Sequence, residues 1–120
     1  MKVSCDVSLG ELFDKISILQ IKKEKIGDEQ KQKYVSEELE ALTEKLNELA
    51  LPEADGFLQE LVEVNKKLWE IEDQIREKER EKDFGQDFIE LARSVYLTND
   101  KRFEIKNKIN QKYGSQVREV

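Results

Sequence analysis

The stretch "SVYLTNDKR" at residues 94–102 decides the fold, because its polar side chains interrupt an otherwise regular helical pattern. A helix that ended at Leu97 and restarted with Thr98 or Asn99 as its cap would have no reason to keep one phase on both sides. No Glu or Gln follows either candidate cap at the third position, as a capping box requires. We therefore predict one helix, continuous or kinked, through this stretch. The residues that keep the phase step by four and three: Phe84, Phe88, Leu91, Val95, Thr98, Arg102, Ile105 and Ile109.

Three more helices are predicted before this one. The first begins at the capping box "SLGE", in which Ser8 and Glu11 can satisfy each other's free backbone amides, and it ends at Gly27. Because its apolar residues lie on two faces, it is expected to be the most buried helix. The second and third have single apolar stripes at spacings of four and three, and "ALPEADG" is the turn between them. The predicted helices span about residues 8–26, 29–50, 55–82 and 86–113, followed by a short flexible C-terminal tail at 115–120.

The composition agrees with a wholly helical chain. With 40% charged residues, five glycines and one proline in 120 residues, it is typical of helices rich in Glu, Lys and Leu. A chain of this length forms one domain, spanning residues 1–120. We predict an all-α fold, either an antiparallel helical bundle or a long helical hairpin of about four helices with heptad-like seams.

No stretch is apolar enough for a signal peptide or a membrane span. The start "MKVSCDVSLG" lacks an apolar core, and no later segment approaches the roughly 20 apolar residues that a span needs. Cys5 is the only cysteine, so no internal disulfide can form. We expect a cytoplasmic protein without membrane insertion.

The charge distribution argues against a nucleic-acid partner. The net charge is −6, and residues 28–55 account for it with nine acidic residues against three lysines. A duplex-binding protein needs a clustered basic face to displace counterions, whereas the basic residues here are interleaved with glutamates.

The sequence offers little support for catalysis, since the chain has no histidine that could act as a general base or metal ligand. "EELE" and "EIED" match the magnesium-binding carboxylate pairs of all-α nucleotide pyrophosphohydrolases, but with Leu68 facing the core, Glu70 and Asp73 point to the solvated side of their helix. We predict no catalytic residue, no metal and no cofactor, and we regard this enzyme class as remote.

Polar residues on the predicted seams are the candidate site. Asp14 shares a face with apolar residues of the first helix, and Arg102 lies on the seam of the fourth. A charge taken out of water costs several kcal/mol unless it is paired. We therefore expect Asp14, Glu72, Arg76 and Arg102 to contact one another or a ligand. The full candidate set is Asp14, Asn65, Trp69, Glu72, Arg76, Arg93, Tyr96, Asn99, Arg102 and Lys106.

Two interpretations of this set stay open, beside the possibility that its residues simply face solvent. In one, the residues form an internal network of ion pairs and hydrogen bonds that fixes the helix register. In the other, they line an inter-helix pocket for a small anionic ligand such as a sugar nucleotide, with arginine forks for its charge and Trp69 or Tyr96 as a flat wall.

The third and fourth helices, each roughly 40 Å long, exceed the first two in length. Part of their apolar surface is then left without cover inside the chain. Because most oligomers are symmetric homo-oligomers, a homodimer is the expected solution.

Several segments together resemble a family of short bacterial and phage-borne proteins known only as a domain of unknown function: "SLGELFDKISILQIKKEKI", "VNKKLWEIEDQIREKE" and "FIELARSVYLTNDKRFEIKNKIN". The resemblance implies a helical fold and, because some members of the family are associated with genes for surface-polysaccharide synthesis, a setting in that process with a protein partner there. We expect a non-enzymatic interaction or accessory module, or alternatively a binding protein for a small anionic ligand. Carried onto this chain, the motif positions of the family are Asp14, Lys15, Asn65, Trp69, Glu72, Asp73, Arg76, Arg93, Tyr96, Asn99, Asp100, Arg102 and Asn110.

Overall fold

The computed structural model describes residues 1–120 and contains four α-helices and no strand, which confirms the all-α prediction. The helix over residues 94–102 is unbroken, as the constant period predicts. Thr98, the candidate cap, is instead buried within the helix, on the same face as Ile105 and Ile109. The helices are α1 (Leu9–Lys25), α2 (Glu29–Glu48), α3 (Ala54–Glu81) and α4 (Gln86–Tyr113).

Helix α1 is the centre of the bundle, because it packs against each of the other three helices. Helices α3 and α4 form an antiparallel hairpin beside it. Phe13, Ile16 and Ile21 of α1 are almost completely buried, in agreement with its two apolar faces. The core cluster consists of Phe13, Ile16, Leu46, Leu61, Ile105 and Ile109.

The start of α1 departs from the predicted capping box. Ser8 is the N-cap, and its hydroxyl accepts from the Glu11 amide at 2.9 Å. The Glu11 carboxylate does not return the bond to the Ser8 amide, because it accepts instead from Lys106 Nζ of α4 at 2.7 Å. A tertiary ion pair thus replaces half of the local motif.

Helices α1 and α4 come into backbone contact at Gly10. A Cβ atom at this position would lie 2.6 Å from the carbonyl oxygen of Lys106 and 2.9 Å from its Cβ. Only glycine fits such an approach without displacing α4. This contact sets the register in which polar side chains of the two helices face each other.

The far half of the α3–α4 hairpin extends beyond α1. At 1.5 Å per residue the 28 residues of α3 span about 42 Å, whereas the 17 residues of α1 span about 26 Å. The polar contacts from α1 to α3 lie at Asn65 and Lys66. Glu72 and Arg76, one to three turns further on, are therefore exposed, and the expected burial of this pair is wrong.

Candidate functional site

The buried carboxylate of Asp14 lies at the contact of α1, α3 and α4. Arg102 holds both of its oxygens, with Nε donating to Oδ1 at 2.9 Å and Nη2 donating to Oδ2. Asn65 Nδ2 donates to the same Oδ1 at 2.9 Å. The hydrogen bond to Asp14 is the main cause that raises the pKa of Arg102. The pair is thus a charge-assisted fork rather than two separate charges.

Ser17 closes this network on the side of α3. Its hydroxyl donates to the Asp14 carbonyl oxygen at 2.6 Å and accepts from Asn65 Nδ2 at 2.8 Å. Every buried side-chain nitrogen and oxygen in the structure has a hydrogen-bond partner. The network around Asp14 is therefore satisfied by the protein itself, as a register device requires.

Lys106 lies one turn beyond Arg102 on α4 and faces several carboxylates. Its ammonium nitrogen lies 2.7 Å from Glu11 Oε2, 3.2 Å from Glu119 Oε2 and 4.0 Å from Asp14 Oδ2. Burial alone would lower the pKa of Lys106, but the hydrogen bonds and charges of these carboxylates outweigh it, and the pKa is raised. Lys106 therefore stays charged although its side chain is only 11% exposed.

Glu119, from the segment after α4, completes this cluster. Ser8 Oγ donates to its Oε1, and Asn110 Nδ2 lies 3.4 Å from the same atom. Burial would raise the pKa of Glu119, but the hydrogen bonds from Ser8, Lys106 and Asn110 and the charge of Lys106 outweigh it, and the pKa is lowered. The segment 115–120, predicted to be a flexible tail, thus contributes a carboxylate to the site. Its flexibility stays a prediction.

Sequence reasoning missed Ser8 and Glu119 as members of the site. Asn110 was named only as a motif position of the family, although the helical period also points to it, because it follows Arg102 and Lys106 at steps of four on one line of α4. It is fully buried, and its Oδ1 accepts from the Gly10 amide at 2.7 Å. Glu119 carried no signal, since no helical period extends past Gly114.

The ten candidate residues do not form one pocket. Asp14, Asn65, Arg102 and Lys106 come together as described. Trp69 is half-buried on α3, and the exposed Arg76 pairs with Glu72 at 3.8 Å and with Asp73 at 3.2 Å. The remaining three are exposed on α4: Arg93, Tyr96 and Asn99.

The exposed side of α4 has a pattern of its own. Ile89, Tyr96 and Phe103 are 48%, 52% and 39% exposed, and they follow at intervals of seven residues. At 100° per residue they lie within about 40° of one another and on the side opposite Thr98. Arg93 and Asp100 lie between them in the sequence and on the same side of the helix. We call Ile89, Arg93, Tyr96, Asp100 and Phe103 the outer stripe.

The carboxylate pairs of the pyrophosphohydrolase-like motifs are not part of this site. Glu37 and Glu40 are exposed on α2, and Glu70 and Asp73 are exposed on α3. No group of three or more acidic or cysteine side chains is arranged to hold a metal ion. A groove of about 930 Å³ lies between the N-terminal segment, α1, α2 and the residues after α4, and neither Asp14 nor Arg102 lines it.

The comparisons with known proteins add a family but no activity. The model of a family described as a family of unknown function (DUF6165) matches residues 1–119. No curated protein and no solved structure matches the chain. None of the four helices is both long and apolar enough to span a bilayer.

Proposed function

Because the chain belongs to the family of unknown function (DUF6165), which assigns it no activity, we propose a function from its surface. The protein is a non-enzymatic interaction module, and the outer stripe of α4 is its docking surface. The occupant of this surface is the outer stripe of a second copy of the chain.

The observation that carries the proposal is the alignment of three large apolar side chains on the solvated side of α4. A single exposed apolar residue is ordinary in a folded protein. Ile89, Tyr96 and Phe103, however, repeat every seven residues on the face where an amphipathic helix should be polar. A seven-residue apolar repeat is the pattern by which one helix packs along another.

The charges of the outer stripe make it self-complementary. In an antiparallel pair with two-fold symmetry, residues at equal distances before and after the centre meet. With Tyr96 at the centre, Ile89 meets the partner's Phe103, seven residues on the other side. Arg93 and the partner's Asp100, three and four residues from the centre, come within one helical turn. Neither Arg93 nor Asp100 makes an ion pair within its own chain.

The Asp14 network supports this assignment rather than a ligand site. Arg102 holds both oxygens of Asp14 through Nε and Nη2, so this edge of the guanidinium is not free to bind a phosphate or a sugar nucleotide. The same pair fixes α4 against α1, and it therefore holds the outer stripe in a defined orientation. The family resemblance adds a setting: an accessory to a protein of surface-glycan biosynthesis, in the cytoplasm and in bacteria or their phages. That setting rests on the resemblance alone.

The test is the molar mass in solution at about 100 µM, measured by light scattering or sedimentation equilibrium. We expect twice the chain mass of 14.1 kDa for the natural sequence, and the chain mass itself for Tyr96→Asp. Tyr34→Asp is the matched control, because Tyr34 is a similarly exposed tyrosine on α2, and it should stay dimeric. A natural chain that is monomeric at this concentration contradicts the proposal, as does a Tyr96→Asp variant that remains dimeric.

A further inference from the structure

We propose that Ser8, Lys106 and Asn110 form a binding site for a carboxylate ligand, which Glu119 of the same chain fills in the structure. We call these three residues the carboxylate recess. The site lies toward the C-terminal end of α4, beyond Phe103, and it shares no residue with the outer stripe.

Three donors converge on one carboxylate. Ser8 Oγ and Asn110 Nδ2 both point to Glu119 Oε1, while the Lys106 ammonium lies 3.2 Å from Oε2. As whole residues, Ser8, Lys106 and Asn110 are 4%, 9% and 0% exposed. Two hydrogen-bond donors on one oxygen and a cation on the other match the two-oxygen geometry of a carboxylate.

The recess is held in place without Glu119. The Ser8 hydroxyl also accepts from the Glu11 amide, Asn110 Oδ1 accepts from the Gly10 amide, and Lys106 Nζ donates to Glu11. These bonds belong to the α1 cap and to the close contact of α1 with α4. If Glu119 left, the Ser8 hydroxyl proton and the Asn110 amide would lose their acceptor in a buried position, which is unfavourable. A carboxylate from another source would again accept the hydrogen bonds of both groups.

The occupant, in contrast, is lightly attached. Beyond the end of α4, the Gly114 and Ser115 amides donate to the Asn110 carbonyl oxygen. The Ser115 hydroxyl accepts from the Leu9 amide at 3.1 Å and donates to the Val117 carbonyl oxygen at 2.6 Å. These contacts attach the start of the segment, four residues before Glu119. Gln116, Val117 and Arg118 are exposed. Glu119 can therefore leave the recess without breaking a helix. A short tether of this kind supplies a local concentration on the order of millimolar, so Glu119 competes with ligands in that range.

The surrounding charge selects the ligand class. Glu11 and Asp14 already lie 2.7 and 4.0 Å from the Lys106 ammonium. A carboxylate monoanion takes the place of Glu119 with no change in charge, whereas a phosphate dianion would add repulsion between like charges. The recess therefore favours carboxylates over phosphate, which separates it from a sugar-nucleotide pocket.

The experiment follows the side-chain amide NMR signals of Asn110 in the full-length ¹⁵N-labelled chain carrying Glu119→Ala. We expect saturable shifts with millimolar acetate, no comparable shifts with chloride at equal ionic strength, and a response to inorganic phosphate at least several-fold weaker. The natural chain should need at least about twice as much acetate for the same shift, because Glu119, at a local concentration on the order of millimolar, competes for the site. Equal responses of both chains would overturn the proposal, and so would a stronger response to phosphate than to acetate.

Three further variants test the proposal more sharply. Glu104→Ala removes an exposed glutamate of α4 that makes no ion pair, and it should respond as the natural chain does. Ser8→Ala combined with Glu119→Ala should lose most of the acetate response while the other amide signals stay dispersed. Glu119→Gln keeps the side-chain shape, removes its charge and serves if Glu119→Ala does not fold. A response to acetate in Glu119→Gln no stronger than in the natural chain contradicts the proposal.

A peptide with residues 114–120 of the chain, blocked at its N-terminus, tests where the carboxylate comes from. Binding to Glu119→Ala more than about tenfold tighter than acetate identifies the ligand as an acidic peptide segment. Binding equal to acetate identifies it as a small carboxylate molecule.

Discussion

Arg102 on α4 donates hydrogen bonds to both carboxylate oxygens of Asp14 on α1, 88 residues earlier in the chain. Asp14 is fully buried, whereas the Arg102 side chain retains 29% of its exposure. The two helices are thereby fixed in one register, together with the backbone contact at Gly10. Stability, dimerisation and the carboxylate recess all depend on this register, so the first prediction concerns this pair.

Replacing Arg102 alone should cost more than removing the pair. Arg102→Met leaves the Asp14 carboxylate buried and without its cation, which costs about 3–5 kcal/mol of unfolding free energy. The value should fall at the lower end, because Arg102 is partly exposed. Asp14→Leu combined with Arg102→Met removes both charges and should be neutral or stabilising. Urea unfolding of the natural chain and both variants measures this.

Arg76→Met is the matched control for that series. Arg76 pairs only with exposed carboxylates of its own helix, and such pairs contribute about 0–1 kcal/mol. A double variant as unstable as Arg102→Met would show that Asp14 and Arg102 are not coupled as the geometry indicates.

Two glycines should respond to alanine in opposite directions. At Gly10 the new Cβ would meet backbone atoms of Lys106, so we expect Gly10→Ala to lose at least about 1–3 kcal/mol of unfolding free energy. At Gly56, near the start of α3, the new Cβ meets nothing within 4 Å. Gly56→Ala should therefore gain up to about 1 kcal/mol from helix propensity. Thermal or urea unfolding measures both changes in stability. A Gly10→Ala variant as stable as Gly56→Ala would refute the close contact.

The contribution of Glu119 should depend on pH. Its pKa is lowered in the folded state from the ordinary value of 4.5. A lowered pKa means that the stabilisation is present above pH 4.5 and is lost as the pH falls through the folded value. The difference in urea midpoint between the natural chain and Glu119→Gln should thus shrink below pH 4.5. Glu40→Gln, at an exposed position without an ion pair, should show no such trend.

The antiparallel dimer can be tested by exchanging charges. Arg93→Asp brings the new carboxylate close to the partner's Asp100 on both sides of Tyr96. The repulsion between these like charges should raise the dimer dissociation constant. Surface pairs contribute about 0.2–1 kcal/mol each, and two symmetric pairs make the expected change roughly two- to thirtyfold. Arg93→Asp with Asp100→Arg restores opposite charges and should recover most of the affinity in sedimentation velocity. A double variant weaker than either single one would contradict this pairing.

Much of the fold was accessible from local patterns. The period of four and three residues through Thr98 and Arg102 predicted an unbroken α4, because a single helix keeps its phase whatever surrounds it. Ser8 marked the start of α1 for an equally local reason, a free backbone amide to cap.

The site was accessible only in part. Asp14 and Arg102 were expected to need a partner because the pattern places both inward, and the structure pairs them. Glu72 and Arg76 satisfy the same pattern but are exposed, because a helical period shows which face points inward and not how far the neighbouring helix extends. The length of α1 and its crossing with α3 decide that.

The sequence by itself determined the number of helices, their phases and the need of the inward-facing Asp14 and Arg102 for a partner, since these follow from backbone geometry and the cost of burying a charge. The tertiary structure decided which inward positions have a neighbour, that the outer stripe of α4 has none, and that Glu119 lies on Ser8, Lys106 and Asn110. Those outcomes depend on helix lengths and on the close approach at Gly10, where contacts between residues distant in the chain outweigh local preference.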